Sequence, residues 1–150
     1  MTAPTSAGSA EPVSARTKAR KRALDLLFEA EQRGVDVADL LRERLAAPVT
    51  EAPLSEFTAD LVSGVVEHWT QVDELISTYS QGWTLDRMPA VDRNVLRMAT
   101  FEVLFVDEVP FAVSVSEALH LVRDLSTDES PAFVNGVLGN IVRDRELLVG

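Results

Sequence analysis

Five cationic side chains lie within seven consecutive positions near the N-terminus: Arg16, Lys18, Arg20, Lys21 and Arg22, called here the basic segment. Lysine and arginine neutralise the phosphates of nucleic acids, and a cluster of this size is able to contact several phosphates at once. The chemistry that these residue types and this spacing favour is therefore electrostatic binding of a polyanion.

The distribution of charge along the chain points in the same direction. Residues 1–22 hold five cations and one acid, a net charge of +4, whereas residues 23–150 hold nine arginines and 23 acids, a net charge of −14. A compact basic segment on an otherwise acidic chain often marks contact with nucleic acid. The alternative is a solvated cationic terminus without a ligand, and composition alone does not choose between the two.

Motifs for catalysis or metal binding do not occur in the sequence. The chain has no GxxxxGK[ST], GxGxxG, HExxH or GxSxG motif, and His68 and His120 lack a partner at ligand spacing. The absence of cysteine excludes disulfides and thiol catalysis and fits a reducing cytoplasm. Without a signal peptide or a membrane-spanning apolar run, we expect a cytoplasmic binding protein with no enzymatic activity, cofactor or metal.

Hydrophobic periodicity predicts an all-α fold that positions these residues. Apolar side chains recur at spacings of three and four, as on the buried face of amphipathic helices, and no stretch alternates as a strand does. Residues 1–13, rich in Ala, Ser, Thr and Pro, predict a disordered tail. The remaining pattern predicts about seven helices with short connections, over about residues 14–33, 37–46, 55–69, 71–81, 90–107, 114–125 and 131–145.

The last predicted helix, in the stretch SPAFVNGVLGNIV, contains two interior glycines. Ser130 and Pro131 form a start signal, and "SVSE" at Ser114–Glu117 predicts a capping box for the preceding helix. Each interior glycine costs about 1 kcal/mol relative to alanine. Gly136 and Gly139 share one face, which predicts close packing of a neighbouring helix, with direct ligand contact as the alternative.

Three segments together resemble the NusB family of bacterial transcription antitermination factors. They are "KARKRALDLLFEAE", "GWTLDRMPAVDRNVLRMATFE" and "VPFAVSVSEALHLVRDLSTDESPAFVNGVLG". The resemblance extends over about residues 16–142, and "FVNGVL" after the acidic "DES" is its most specific part. It implies one all-helical domain over residues 14–150, built from two packed helical subdomains, about 14–81 and 82–150, without enzymatic activity.

The same resemblance implies partners and contact residues. Members form a heterodimer with ribosomal protein S10 (NusE), bind the boxA RNA of nascent transcripts such as those of rRNA operons, and act within the RNA polymerase antitermination complex. Asp92 matches an acidic residue that faces S10. The implied RNA contacts are Arg16, Lys18, Arg20, Lys21, Arg22, Phe28, Tyr79, Glu129 and Phe133.

Some residues depart from the family pattern, and other functions stay open. Thr17 interrupts the basic segment, Phe28 lacks the hydroxyl that a tyrosine would donate there, and Ser116 replaces an asparagine. Phe133, at the first turn of its helix, is either a core aromatic or a base-stacking ring. The alternative functions are a helical protein-interaction module that binds no RNA, or the RNA-binding fragment of an rRNA methyltransferase. A homodimer is also open, because an exposed apolar partner surface can self-associate.

Overall fold

The computed structural model describes residues 3–47 and 53–149, with side chains from Ala15 onward, and its secondary structure within these ranges is entirely helical. This confirms the predicted all-α fold. A 3-10 turn, Leu85–Arg87, accompanies the α-helices. The described α-helices are α1 Ala3–Arg33, α2 Val37–Ala46, α3 Glu56–Glu67, α4 Trp69–Tyr79, α5 Ala90–Phe105, α6 Phe111–Leu125, α7 Ser130–Arg143 and α8 Arg145–Val149.

The chain divides into two compact units, Met1–Val62 and Ser63–Gly150. The division falls within α3, whereas the family resemblance implies a boundary near residue 81, at the turn that follows α4. Arg93 of α5 donates to the carbonyls of Leu85 and Met88, which holds the segment after this turn against the second unit. None of the described helices is both long and apolar enough to cross a membrane.

In the first unit, α1 packs against α2. The backbone of α1 begins at Ala3, within the segment for which composition predicts a disordered tail. It ends as predicted at Gly34, whose φ of +66° is available to glycine at low cost. The amides of Gly34 and Val35 donate to the carbonyls of Glu31 and Ala30, which closes the helix with a Schellman motif.

An ion pair joins the two helices of this hairpin. Both terminal nitrogens of Arg44 donate to the Glu29 carboxylate, at 2.8 and 2.6 Å, and Arg33 donates to the same carboxylate at 2.7 Å. These bonds, to Arg44 first and Arg33 second, lower the pKa of Glu29 from its ordinary 4.5 to about 2. The bidentate geometry fixes α2 on α1 more specifically than apolar contact alone would.

In the second unit, α5 packs against α4, α6, α7 and α8. Periodicity predicts that Val95, Leu96, Ala99, Val103 and Phe105 or Val106 face inward. The first four are buried, whereas Phe105, at the end of the helix, is exposed. A helix with so many neighbours also buries polar side chains, and each of these needs a partner.

One such polar side chain is Arg97, which joins α5 to α4. Its guanidinium donates to both carboxylate oxygens of Asp73, at 2.8 and 3.0 Å, and to Asn94 Oδ1 at 3.0 Å. It also lies over the ring of Trp69, 4.1 Å from the ring centroid. The ion pair and the cation–π contact together neutralise a cation that is almost fully buried.

Two of the predicted capping signals are wrong, for a common reason. α6 begins at Phe111, directly after Pro110, so that Ser114 lies inside the helix, is buried, and donates to Glu102 Oε1 of α5 at 3.0 Å. Ser130 is the first residue of α7 rather than its cap. In both cases the serine hydroxyl bonds to a buried carboxylate of α5 instead of to its own helix end.

The predicted close packing at the glycines of α7 is also wrong. A Cβ built on Gly136 or Gly139 would have no described atom within 4 Å, and both residues are exposed. Gly64 in α3 is the position where packing does require glycine. A Cβ there would stand 2.0 Å from Cζ of Phe101.

Candidate functional site

The basic segment lies on α1, and two of its arginines pack against an aromatic ring of the same unit. The guanidinium carbons of Arg16 and Arg20 stand 4.6 and 5.1 Å from the centroid of the Phe57 ring. Arg20 is only 3% exposed. A guanidinium at this distance from a ring makes a cation–π contact, which is stronger where water is excluded. Arg16 and Arg20 therefore have a structural role in addition to their predicted role in RNA binding.

Hydrogen bonds hold the start of α3 at the same place on α1. The hydroxyl of Ser55 accepts from the amide of Thr58, as an N-cap does, at 3.1 Å. The Thr58 hydroxyl in turn donates to the carbonyl of Ala19 at 2.9 Å, where both groups are buried. Ala19 lies between Arg16 and Arg20, so that Phe57 and Thr58 contact one short part of α1.

The other face of α1 presents cations and an aromatic ring to solvent. Lys18 and Phe28 are exposed, the latter by 37%, and Lys21 and Asp25 form an ion pair at 2.8 Å. These four residues follow one another at spacings of three and four, which places them on a single helix face. Arg22 is half-buried beside this face. We call Lys18, Lys21 and Phe28 the α1 stripe.

In the second unit, two aromatic residues flank a groove that we call the aromatic groove. Its cavity measures about 510 Å³ and is lined by Trp83, Arg87, Asp92, Glu129, Ser130 and Phe133, among others. Trp83 is 53% exposed and Phe133 is half-buried. Their ring centroids are 6.0 Å apart with the planes inclined by 49°. Phe133 is therefore part of the groove wall and not a core residue.

The turn that carries Trp83 is fixed by hydrogen bonds. The buried hydroxyl of Ser80 donates to the carbonyl of Trp83 at 2.6 Å. Arg93 Nη1 donates to the carbonyls of Leu85 and Met88, at 2.6 and 2.9 Å, at the first residue of the 3-10 turn and directly after its last. The backbone on both sides of the indole is thus anchored to the helices that precede and follow it.

Asp92 lines the aromatic groove, and each of its carboxylate oxygens accepts a hydrogen bond from a hydroxyl group. It is 2% exposed, and its two carboxylate oxygens accept from Ser126 Oγ at 2.7 Å and from Ser130 Oγ at 2.8 Å. Ser130 Oγ also accepts from the amide of Thr127 at 3.2 Å. Asp92 therefore ties the start of α5 to the connection between α6 and α7.

Phe133 also lines a second, smaller cavity. It measures about 220 Å³ and is lined by Tyr79, Gln81, Phe133, Gly136 and Asn140, among others. The Tyr79 hydroxyl donates to Asp144 Oδ2 at 2.7 Å. Bonds from Arg143 first and Tyr79 second lower the pKa of Asp144 to about 2, and the bond to Asp144 raises the pKa of the Tyr79 hydroxyl. The lining of this cavity includes the Phe133 ring and the Asn140 amide. At Gly136 the cavity wall has no side chain.

The structure brings together four of the predicted site residues. Tyr79, Glu129, Phe133 and Asp92 line one or both of two cavities that share Phe133, whereas the basic segment and Phe28 belong to the first unit. Trp83 also lines the aromatic groove, although the sequence alone gives it no role. Its position in a predicted turn was the one indication in the sequence, because the spacing of apolar residues does not require a side chain there to be buried. Among the described residues, no three acidic or histidine side chains come together as a metal site would require.

Comparison with known proteins gives consistent matches over nearly the whole chain. The model of the NusB family matches residues 17–143. The transcription antitermination protein NusB of Nocardioides sp. is 60% identical over 136 residues, which cover 91% of this chain and 99% of that protein. The protein of the same name from Beutenbergia cavernae is 54% identical, with coverage of 87% and 91%.

Solved structures match the fold to the same extent. T. maritima NusB superposes with a TM-score of 0.75 and 34% identity, covering 86% of this chain and 91% of that one. A chain in the crystal structure of the antitermination factors NusB and NusE in complex with dsRNA superposes with a TM-score of 0.73 and 26% identity, with coverage of 85% and 96%.

Proposed function

The chain belongs to the NusB family, and from this premise we propose that it is an RNA-binding transcription antitermination factor. It pairs with ribosomal protein S10 (NusE), binds boxA RNA of nascent transcripts such as those of rRNA operons, and acts in the RNA polymerase antitermination complex. It works by binding and not by catalysis, in the cytoplasm, where bacterial transcription takes place. The solved complex of NusB, NusE and RNA supports this assignment of partners.

The observation that carries the RNA-binding proposal is the α1 stripe. Lys18 and Lys21 face solvent on the same side of α1 as Phe28, in a segment that is net positive on a chain of net charge −10. Exposed cations supply phosphate contacts, and an exposed ring beside them offers a stacking surface for a base. Because Lys18 and Phe28 are exposed, their side chains contribute little to the stability of the fold, and their placement is more easily explained by a ligand.

The five residues of the basic segment do not have equal roles in RNA binding. Lys18, Lys21 and Arg22 are placed to contact phosphates directly. Arg16 and Arg20 stay proposed RNA contacts, but their cation–π contacts with Phe57 also fix α3 on α1. In the second unit, Phe133 and Tyr79 supply rings and Glu129 supplies an acceptor for base amines, so these three remain the proposed contacts there.

Asp92 remains the residue that we propose for the S10 side of the complex. Because its carboxylate is buried and already accepts two hydroxyl hydrogen bonds, its effect on S10 is indirect. It fixes the segment between Ser126 and Ser130, so that its loss would alter S10 binding through a shift of this segment and not through a lost direct contact.

The test is RNA binding as a function of salt. Lys18, Lys21 and Arg22 are replaced together by alanine, and a short single-stranded boxA RNA is titrated with the chain, with and without S10. The slope of log K against log salt should become shallower by about 0.7 for each lost phosphate contact, hence by about 2 for three contacts. S10 should strengthen the binding of the unaltered chain.

A matched control removes the same charge elsewhere. Arg33, Arg42 and Arg123 are exposed arginines outside the basic segment, and their joint replacement by alanine should leave the salt slope unchanged. If both triple variants change the slope equally, net charge and not the α1 stripe governs binding. If the unaltered chain binds no boxA RNA with or without S10, it is a protein-interaction module instead.

A further inference from the structure

Trp83 stands beside Phe133 and has no role in the contacts proposed above. The two rings are inclined to each other, with centroids 6.0 Å apart, and are not stacked face to face. At this distance and inclination the rings touch without covering one another. A face of each ring is therefore left for a third planar group, and more than half of the Trp83 side chain is open to solvent.

The exposure of Trp83 is built into the backbone of its turn. Gln81 has a φ of +53°, in the left-handed region that residues with a Cβ rarely adopt, and Gly82 follows with a φ of +94°. Such a conformation persists only where surrounding bonds enforce it, and it is often found at functional sites. The Ser80 and Arg93 bonds described above supply this enforcement, so that the indole is held in an exposed position.

The polar groups of the aromatic groove suit a nucleotide. Glu129 is exposed at the start of α7 and accepts hydrogen bonds, as the exocyclic amines of bases require. Arg87 is exposed on the 3-10 turn and supplies a cation for a phosphate. The groove thus combines two ring faces, an acceptor and a cation, the set with which proteins bind unpaired nucleotides.

We propose that Trp83 and Phe133 together bind one unpaired base of the RNA, and that Arg87 contacts a phosphate next to this base. The inference rests on the proposed function, because it takes single-stranded RNA as the ligand. A segment of a protein partner is the other occupant to consider. The groove walls are the first turns of α5 and α7, the 3-10 turn and the connections beside them, which present no strand edge to a peptide backbone, whereas their side chains match the edge and faces of a base.

The experiment compares substitutions of Trp83 in the full chain. Trp83→Leu keeps an apolar side chain but removes the aromatic face, and Trp83→Phe keeps an aromatic face. We expect Trp83→Leu to weaken boxA RNA binding by about 5- to 150-fold, the equivalent of the 1–3 kcal/mol of one stacked base. Trp83→Phe should retain most of the affinity. The salt slope should stay unchanged in Trp83→Leu and become shallower by about 0.7 in Arg87→Ala.

Controls separate this inference from the proposed function and from loss of fold. Phe105→Leu changes another exposed aromatic of the same unit and should leave RNA affinity unchanged, and the melting temperature of each variant is measured. Normal RNA binding by Trp83→Leu refutes the inference while the proposed function stands. A loss of S10 affinity in the absence of RNA, with the RNA affinity of the free chain intact, assigns Trp83 to the protein partner and also refutes it. An unaltered chain that does not bind boxA RNA refutes the proposed function itself.

Discussion

The basic segment and the aromatic groove differ in which of their side chains are available to a ligand. The basic segment is conspicuous in the sequence, yet Arg20 is buried under Phe57, Arg16 lies on the same ring, and Lys21 pairs with Asp25. The aromatic groove has no conspicuous motif, yet the structure holds Trp83 open to solvent. A count of charges in the sequence therefore overstates the number of cations available to a ligand. The lack of an aromatic motif in the sequence, in turn, understates the ring surface available for stacking.

The two regions also differ in which side chains make the contacts that keep them folded. On α1, cation–π and hydrogen-bond contacts with the start of α3 use side chains of the basic segment itself, so structure and binding share residues. In the aromatic groove the supporting hydrogen bonds are made by Ser80, Arg93 and Asp92, and not by the two aromatic side chains. Substitutions should therefore separate binding from stability in the groove and only partly on α1.

Asp92→Ala should give the largest effect and tests the support of the groove. The buried hydroxyl of Ser130 and the partly buried hydroxyl of Ser126 lose their acceptor, each bond worth about 1–3 kcal/mol, so we expect the free energy of unfolding to fall by about 3 kcal/mol. Urea denaturation measures this, with Asp124→Ala, an exposed acid of α6, as a control that changes little. Unchanged stability with lost S10 affinity would instead make Asp92 a direct partner contact.

Phe133→Ala tests whether a groove ring serves binding without serving the fold. RNA affinity should fall by about 1–3 kcal/mol, the contribution of one base stacked on a ring. The loss of stability should be smaller than the 3–5 kcal/mol typical of a fully buried phenylalanine, because Phe133 is half-buried. RNA titration and thermal unfolding of the same variant decide this; a full core-type loss of stability with intact RNA affinity would contradict it.

Arg20→Ala and Lys18→Ala form a matched pair on α1. Arg20→Ala should lower the free energy of unfolding by about 1–2 kcal/mol, because the buried cation–π contact with Phe57 is lost. Lys18→Ala should change stability by less than about 0.5 kcal/mol, since the side chain is exposed. Chemical denaturation of both variants distinguishes them, and equal effects would show that the basic segment is not divided in this way.

The glycines of α7 give the smallest effect and a second matched pair. Both Gly136→Ala and Gly139→Ala should stabilise the chain by about 0.5–1 kcal/mol, since the new Cβ has space and helix propensity improves. Only Gly136 lines the small cavity beside Phe133, so only Gly136→Ala should also weaken RNA binding. Equal RNA affinities of the two variants would remove that cavity from the binding surface.

Periodicity predicts most of the fold, because a helix that buries one face repeats its apolar residues at a fixed spacing. Leu24 and Leu27 of α1 and Val134 and Ile141 of α7 are buried as this spacing requires. Local capping patterns were less informative. Ser114 matches a capping box in sequence, but its hydroxyl bonds to Glu102, twelve residues earlier, and a local pattern contains no information about such a partner.

The candidate site could be predicted only in part, for the same physical reason. The residue types of the basic segment and of Phe133 are evident in the sequence, and the family resemblance indicates their roles. The exposure of Trp83 depends on the left-handed backbone of Gln81 and on the bond from Ser80, which become evident only in the folded chain. The openness around Gly136 likewise depends on how far other helices lie from it, which spacing along one helix does not determine.

The two tryptophans of the chain also make it a protein with two optical reporters in opposite surroundings. Trp69 lies under the guanidinium of Arg97, whereas Trp83 faces water. With Trp69 changed to phenylalanine, the remaining indole fluoresces from the aromatic groove, and a base that stacks on it quenches the emission in proportion to occupancy. With Trp83 changed instead, the emission reports the separation of α4 from α5 during unfolding. Two unlabelled single-tryptophan variants thus allow ligand entry and loss of structure to be recorded as separate signals.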